Sequence, residues 1–324
     1  MALSDQNISG EYLEKLRQNV IKKSKLQYVF PIITLIVLLL YSFIKNGIFF
    51  SYLSSEGFGN AATQGAFFSL IGGIIISVMI ACTVFLIYHI MVWKKAYDLF
   101  DFTFKNKYVL HAVSEVPGFT DLKYSPQDGF TYEEIQSLGI VPCGLKTLYK
   151  SSDSLKGKFE NSVFVSANIS TLETADHDHH KGVTELFSGQ IVSFFVPESL
   201  NLGNGYLQIF DRKAATKMKN QTARKKIETG NGMFDKKFLI YTDNIEYSNR
   251  ILSLKTIEKI LEFSETVNDL VYIVFLGNRM FVSCRQFHPP FGTFTDVSVE
   301  EQTRQIKKDT YIIRKAKEIT SVME

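Results

Sequence analysis

Asp176-His177-Asp178-His179-His180 is the densest run of potential ligands in the sequence. Three imidazoles and two carboxylates suit zinc or another transition metal. The hydrolase pattern HxHxDH requires an Asp-His pair after the second His, whereas His180-Lys181-Gly182 follows here. On an extended chain His177 and His179 share a face and His180 points the other way. A complete site therefore needs ligands from elsewhere, such as His111, His288 or Cys143. The competing reading is a solvated polar loop between two strands. No catalytic or cofactor-binding residue is assigned, no cofactor is called for, and a metal at this loop is left open.

A second candidate is the basic run Arg212 to Lys226, RKAATKMKNQTARKK. It lacks interleaved aromatics, so base stacking is not indicated and no nucleic-acid partner is expected. Beside an anionic leaflet each Lys or Arg could contribute about 1 kcal/mol, which suits docking on a membrane; a charged loop between strands is the alternative. Walker-type and GxSxG motifs are missing. Gly203-Asn204-Gly205 and Gly230-Asn231-Gly232 read as turn formers. Phe287-His288-Pro289-Pro290-Phe291 reads as a groove for a partner or a Pro-stiffened exit from a strand.

The elements that must position these groups fall into two unlike parts. No charged residue interrupts the chain between Lys25 and Lys45, or between Glu56 and Lys94. At ~1.5 Å rise per residue the first run covers about 28 Å, close to a bilayer's hydrocarbon core. These runs predict a transmembrane hairpin (26–93), with spans over about 27–46 and 66–93. Lys15, Arg17, Lys22, Lys23 and Lys25 precede the first span, and Lys94, Lys95, Lys105 and Lys107 follow the second. The intervening loop has one Lys and one Glu, so both termini are expected in the cytoplasm.

Residues 1–25 show Tyr12, Leu13, Leu16, Val20 and Ile21 at helical spacing. They form either an amphipathic segment on the inner leaflet or a polar extension of the first span. Gly65, Ser69, Gly73, Ser77 and Ala81 recur every fourth residue in the second span, a small-residue ridge that another helix can approach. The three cysteines, Cys82, Cys143 and Cys284, offer no disulfide framework, and a net charge of +3 sets no global field.

Residues 96–324 form the expected cytoplasmic domain. A helix continues from Lys95 towards Pro117. Thr131 and Glu134 make a capping box for a helix reaching Leu138, with Gly139 as its stop. From Phe159, FENSVFVSANIS, SGQIVSFFVP, YLQIF and KFLIYT read as strands. Ser253 starts a helix with Ile257, Ile260, Leu261 and Val267 inward. LVYIVFLGNRMFVSCR is a hairpin about Gly277-Asn278. Ser298 and Glu301 cap a last helix, with Ile306, Ile313, Ala316 and Ile319 inward. Consecutive strands predict an α+β fold, a mainly antiparallel sheet packed by helices; periodicity does not choose between an open and a closed sheet.

Tyr124-Ser125-Pro126 with Gly129-Phe130-Thr131, Glu133-Glu134-Ile135 and Ser137 begin a recurring order of segments. Leu155-Lys156-Gly157-Lys158, Phe234-Asp235-Lys236-Lys237-Phe238 and Tyr241-Thr242-Asp243 continue it. From about Tyr97 onward this order resembles a bacterial family of uncharacterised membrane proteins, domain of unknown function 3137. The resemblance implies an anchored α+β domain, carries no catalytic residues, and implies a membrane-associated partner of the LemA type. The resulting expectation is a multi-pass cell-membrane protein of the bacterial inner membrane, acting in binding or scaffolding through protein–protein interaction. The alternative is a metal-dependent enzyme using His177 to His180. A two-span channel is a weaker third reading, since His89 is the one ionisable residue in either span.

Overall fold

The computed structural model describes residues 9–55, 60–177, 180–196, 203–218, 224–267, 269–286 and 290–323. The chain divides into two compact units: residues 8–104 with 294–299, and residues 105–293 with 300–324.

The first unit is built on α1 (Gly10–Ser55) and α2 (Asn60–Tyr88), followed by a π turn (His89–Trp93) and α3 (Lys94–Thr103). Two stretches, Gly10–Gly47 and Phe68–Ser114, are long and apolar enough to cross a membrane. Helix α1 runs without a break from the polar N-terminal segment into the apolar run. Leu13, Arg17 and Val20 of that segment are buried. Burial in this unit is inverted relative to a water-soluble bundle. Gln27, Ser42, Ser77 and Ala81 are buried, while Ile36, Leu40, Ile44, Ile76, Met79 and Ile87 are more than half exposed. The small-residue ridge is unevenly used: a Cβ on Gly73 would collide with Ser42 Oγ, whereas one on Gly65 would meet nothing.

The second unit contains a nine-stranded antiparallel sheet among the described residues. Before it come a π turn (Phe104–Tyr108) and α4 (Val109–Ser114). The strands are β1 (Phe119–Ser125), β2 (Lys150–Phe159), β3 (Ser162–His177), β4 (His180–Phe195) and β5 (Tyr206–Asp211). They continue with β6 (Lys225–Ile227), β7 (Phe238–Thr242), β8 (Val271–Leu276) and β9 (Arg279–Arg285). The sheet is open, in the order β1-β2-β3-β4-β9-β8-β5-β7-β6. Interleaved are α5 (Tyr132–Leu138), α6 (Gly232–Lys237), α7 (Ile245–Ile251), α8 (Leu254–Val267) and α9 (Val299–Ser321).

Local chemistry explains several boundaries. Glu134 N–H donates to Thr131 Oγ1 at 3.2 Å and Thr131 N–H to Glu134 Oε2 at 2.7 Å, closing the expected capping box. Gly139 ends α5 in the left-handed region, at φ 59°. Gly277 turns β8 into β9 at φ 56°. Strand pairing begins earlier than the apolar alternation indicates, since β1 and β2 are rich in Lys, Ser and Asp. In α8 the buried apolar positions are Ile257, Ile260 and Phe263, while Leu261 and Val267 are only half-buried.

Both parities of the central strands are buried, so the sheet needs cover on both faces. Phe187, Ile191, Tyr272, Val274 and Phe281 join Ile135, Leu138, Ile140 and Val141 in one cluster, with α5 as its lid. The other parity, including Phe194, Leu207, Ile273, Phe275 and Val282, is equally buried. Helices α7, α8 and α9 each bury apolar side chains in this unit, Tyr247 and Ile251 on α7 among them. Helices α8 and α9 are linked by Lys315 and Glu262 at 3.3 Å, and Ile306, Ile313, Ala316 and Ile319 are buried as their spacing predicts.

Candidate binding site

The side chains brought together most tellingly are ones that local motifs do not mark. On the α5 face of the sheet, Lys158 pairs with Val163, and Phe195 and Leu276 both pair with Arg279. Val163 lies one residue before the β3–β4 pair Phe164–Phe194, so these residues form one row across β2, β3, β4, β9 and β8. Three apolar members of the row stay open: Val163 is 44%, Phe195 47% and Leu276 47% exposed.

Beside this row lies a cleft of about 390 Å³ walled by Gly129, Phe130, Glu134 and Leu138. Lys156, Val165, Arg279 and Phe281 also line it. Arg279 is half-buried, with its guanidinium carbon 5.2 Å from the Phe195 ring centre and 4.8 Å from that of Phe281. Arg279 Nη2 donates to Ser193 Oγ at 2.9 Å, while its Nε is buried without a partner among the described residues. Burial pushes the Arg279 pKa down, and the nearby Glu134 carboxylate opposes that shift. Lys156 shares the sheet face of Val165, its register partner, and has no ion-pair partner among the described residues.

A second cleft, of about 560 Å³, is lined by Tyr132, Cys143, Glu173, Lys217 and Arg224, among others. Burial raises the Cys143 thiol pKa to about 11, so this sulfur is a poor nucleophile and metal ligand at neutral pH. The guanidinium carbon of Arg224 sits 3.4 Å from the Tyr206 ring centre.

The histidine loop is only partly described. The β3–β4 ladder extends to the pair His177–His180, and Asp178 and His179 lie outside the described residues. Glu173 is four residues before His177 on β3, which is about 13 Å of strand rise. His111 instead faces Glu115 at 3.5 Å, and His288 lies outside the described residues. Among the described residues no group of three His, Cys, Asp or Glu could hold a metal ion.

The basic run is structured in part. Asp211 Oδ1 accepts the Lys213 N–H at 2.8 Å, Ala214 and Met218 are buried, and Lys225–Ile227 is the edge strand β6. Lys219 lies outside the described residues. At the Pro290-Phe291 exit the side chains serve packing: Phe291 is 1% exposed, and its N–H donates to Asp309 Oδ2 at 2.9 Å. Phe287, His288 and Pro289 are outside the described residues.

A buried polar cluster stands beside that exit. Asp153, at φ 57°, accepts from Tyr124 Oη at 2.5 Å, Lys105 Nζ at 3.0 Å, Ser152 Oγ at 2.8 Å and Asn168 Nδ2 at 3.2 Å. Asn168 Nδ2 also donates to the Pro290 carbonyl at 2.8 Å. The sequence sign of this cluster is faint, an Asp at the β2 bulge between Ser152 and Leu155. Arg279 left a clearer sign, as a lone charge inside an otherwise apolar hairpin.

Residues 185–321 match the model of a family described as "Protein of unknown function (DUF3137)". No curated protein matches the sequence. One solved structure, the mycobacterial trehalose monomycolate transport factor A, TtfA, is similar at 10% identity over 62% of this chain and 90% of that one. Its TM-score is 0.30, too low to support any inference.

Proposed function

We propose a membrane-anchored binding protein, a reading taken from the chain's own geometry because the family matched over residues 185–321 has a description that names no activity. The observation that carries this reading is the inverted burial of α1 and α2, with Gln27, Ser42 and Ser77 inside and long aliphatic side chains outside. In water that arrangement leaves a large apolar surface uncovered; in hydrocarbon it is the favoured one. Close packing at Ser42 and Gly73 supports a retained hairpin over a cleaved leader. Lysines flanking the two spans support both termini on the cytoplasmic side of the bacterial inner membrane.

In this reading the sheet domain recruits a partner, a membrane-associated protein such as one of the LemA type, and the hairpin keeps it near the bilayer. Tethering raises the effective concentration, so modest affinity suffices. The test is fractionation with alkaline carbonate, together with reporters fused after Glu324 and within the loop near Glu56. Retention in the pellet, with the C-terminal reporter active on the cytoplasmic side, is expected. Release by carbonate overturns the anchor. In-cell crosslinking then identifies the neighbour.

A further inference from the structure

We infer that the cleft between α5 and the sheet binds a small amphipathic anion, a carboxylate or phosphate carried on an apolar body. The inference deepens the binding reading above and does not depend on the membrane anchor. Arg279 supplies the recognition: its guanidinium is flanked by Phe195 and Phe281, and no carboxylate lies within ion-pair distance among the described residues. A desolvated guanidinium with a free N–H is a strong donor to a planar or tetrahedral anion.

Lys156 adds a second positive charge on the same wall, three strands away and about 14 Å along the sheet, within reach of two long side chains. Glu134 also lines the cleft, but its Oε2 is held by Thr131 N–H at 2.7 Å and Thr131 Oγ1 at 3.0 Å. The cations therefore outnumber the acids facing the space. Phe130, Leu138, Val165 and Leu276 give the apolar body its contact, and the open row from Val163 to Leu276 extends that surface past the rim.

The experiment titrates the full chain, held in nanodiscs of zwitterionic lipid, with 3-phenylpropionate, 3-phenylpropanol and inorganic phosphate by calorimetry. Phenylpropionate is expected to bind in the millimolar range, with the alcohol and the bare phosphate each much weaker. Arg279→Gln is expected to weaken phenylpropionate roughly tenfold or more. Lys156→Gln, which removes no hydrogen bond to the protein, is expected to weaken it about threefold.

Arg279→Gln disturbs the Phe195 and Phe281 contacts, so Lys156→Gln decides the matter if the first variant fails to fold. Binding unchanged in both variants, or equal binding of phenylpropanol, overturns the proposal. Equal binding of bare phosphate overturns its apolar half. If phenylpropionate fails to bind while carbonate-resistant anchoring and the crosslinked neighbour persist, the cleft assignment falls and the anchoring reading stands.

Discussion

His89 Nδ1 lies 3.1 Å from Gln27 Oε1, joining the two apolar helices across 62 residues of sequence. Gln27 precedes Pro31 by four residues, so the missing proline N–H leaves the Gln27 carbonyl without its helical donor. His89 opens the π turn, and its ring stacks on Phe85 at 5.9 Å and Trp93 at 4.7 Å. Two departures from regular helix therefore meet at one polar contact. In a bilayer such bonds are worth about 0.6–2 kcal/mol. A double-mutant cycle of Gln27→Leu and His89→Phe, read by thermal unfolding in detergent, is expected to return a coupling of that size. A coupling of zero would detach the contact from hairpin stability.

Gly73 and Gly65 belong to one ridge but not to one environment. Gly73→Leu is expected to separate α1 from α2, because the added Cβ already meets Ser42. Gly65→Ala has open space and is expected to change nothing. Comparing the two melting temperatures in the same detergent checks the difference.

Lys105 and Asp153 form a buried pair in which the carboxylate is 3% exposed and the ammonium 21% exposed. Lys105→Met removes the counter-charge, although Tyr124, Ser152 and Asn168 still donate to the carboxylate. The expected loss is about 2–3 kcal/mol in urea unfolding, with partial recovery in the Lys105→Met, Asp153→Asn double variant.

Asp309 gives the sheet domain a pH signature. Burial raises its pKa to about 6, against the opposing effects of the Phe291 N–H and the Gln305 amide. Because the folded value exceeds the unfolded one, the folded chain holds the extra proton between about pH 4 and pH 6. This group's stabilisation is fullest below that window and is lost as pH rises through it, by up to about 3 kcal/mol. Asp309→Asn is expected to flatten this component of a plot of melting temperature against pH.

The features legible in the sequence were those decided locally. The Thr131–Glu134 box, the Gly277 turn and the inward stripe of α9 each depend on residues a few positions apart, and each forms as its spacing predicts. Strand β1 escaped because an edge strand needs no apolar alternation, and charged edge residues discourage pairing with other chains; β2, paired on both sides, escaped because its sequence is mostly Lys, Ser and Asp. The cleft escaped because it draws on α5, β2, β3, β8 and β9, which only the sheet order brings together. The histidine loop drew notice by composition, although the described strands on either side supply no complete set of ligands.

The Val299 N–H, at the start of α9, donates to Glu14 Oε2 at 3.1 Å, and Arg17 Nη1 reaches the Thr295 carbonyl at 2.7 Å. Helix α1 is thus fastened by a segment that is synthesised 278 to 285 residues later. At about 5–20 residues per second, some 15–60 s of synthesis separates the two halves of this clasp. Throughout that interval Glu14 has only Arg17 and Gln18 of its own helix, so nascent chains halted before Thr295 should expose this end of α1 to proteases that longer chains resist.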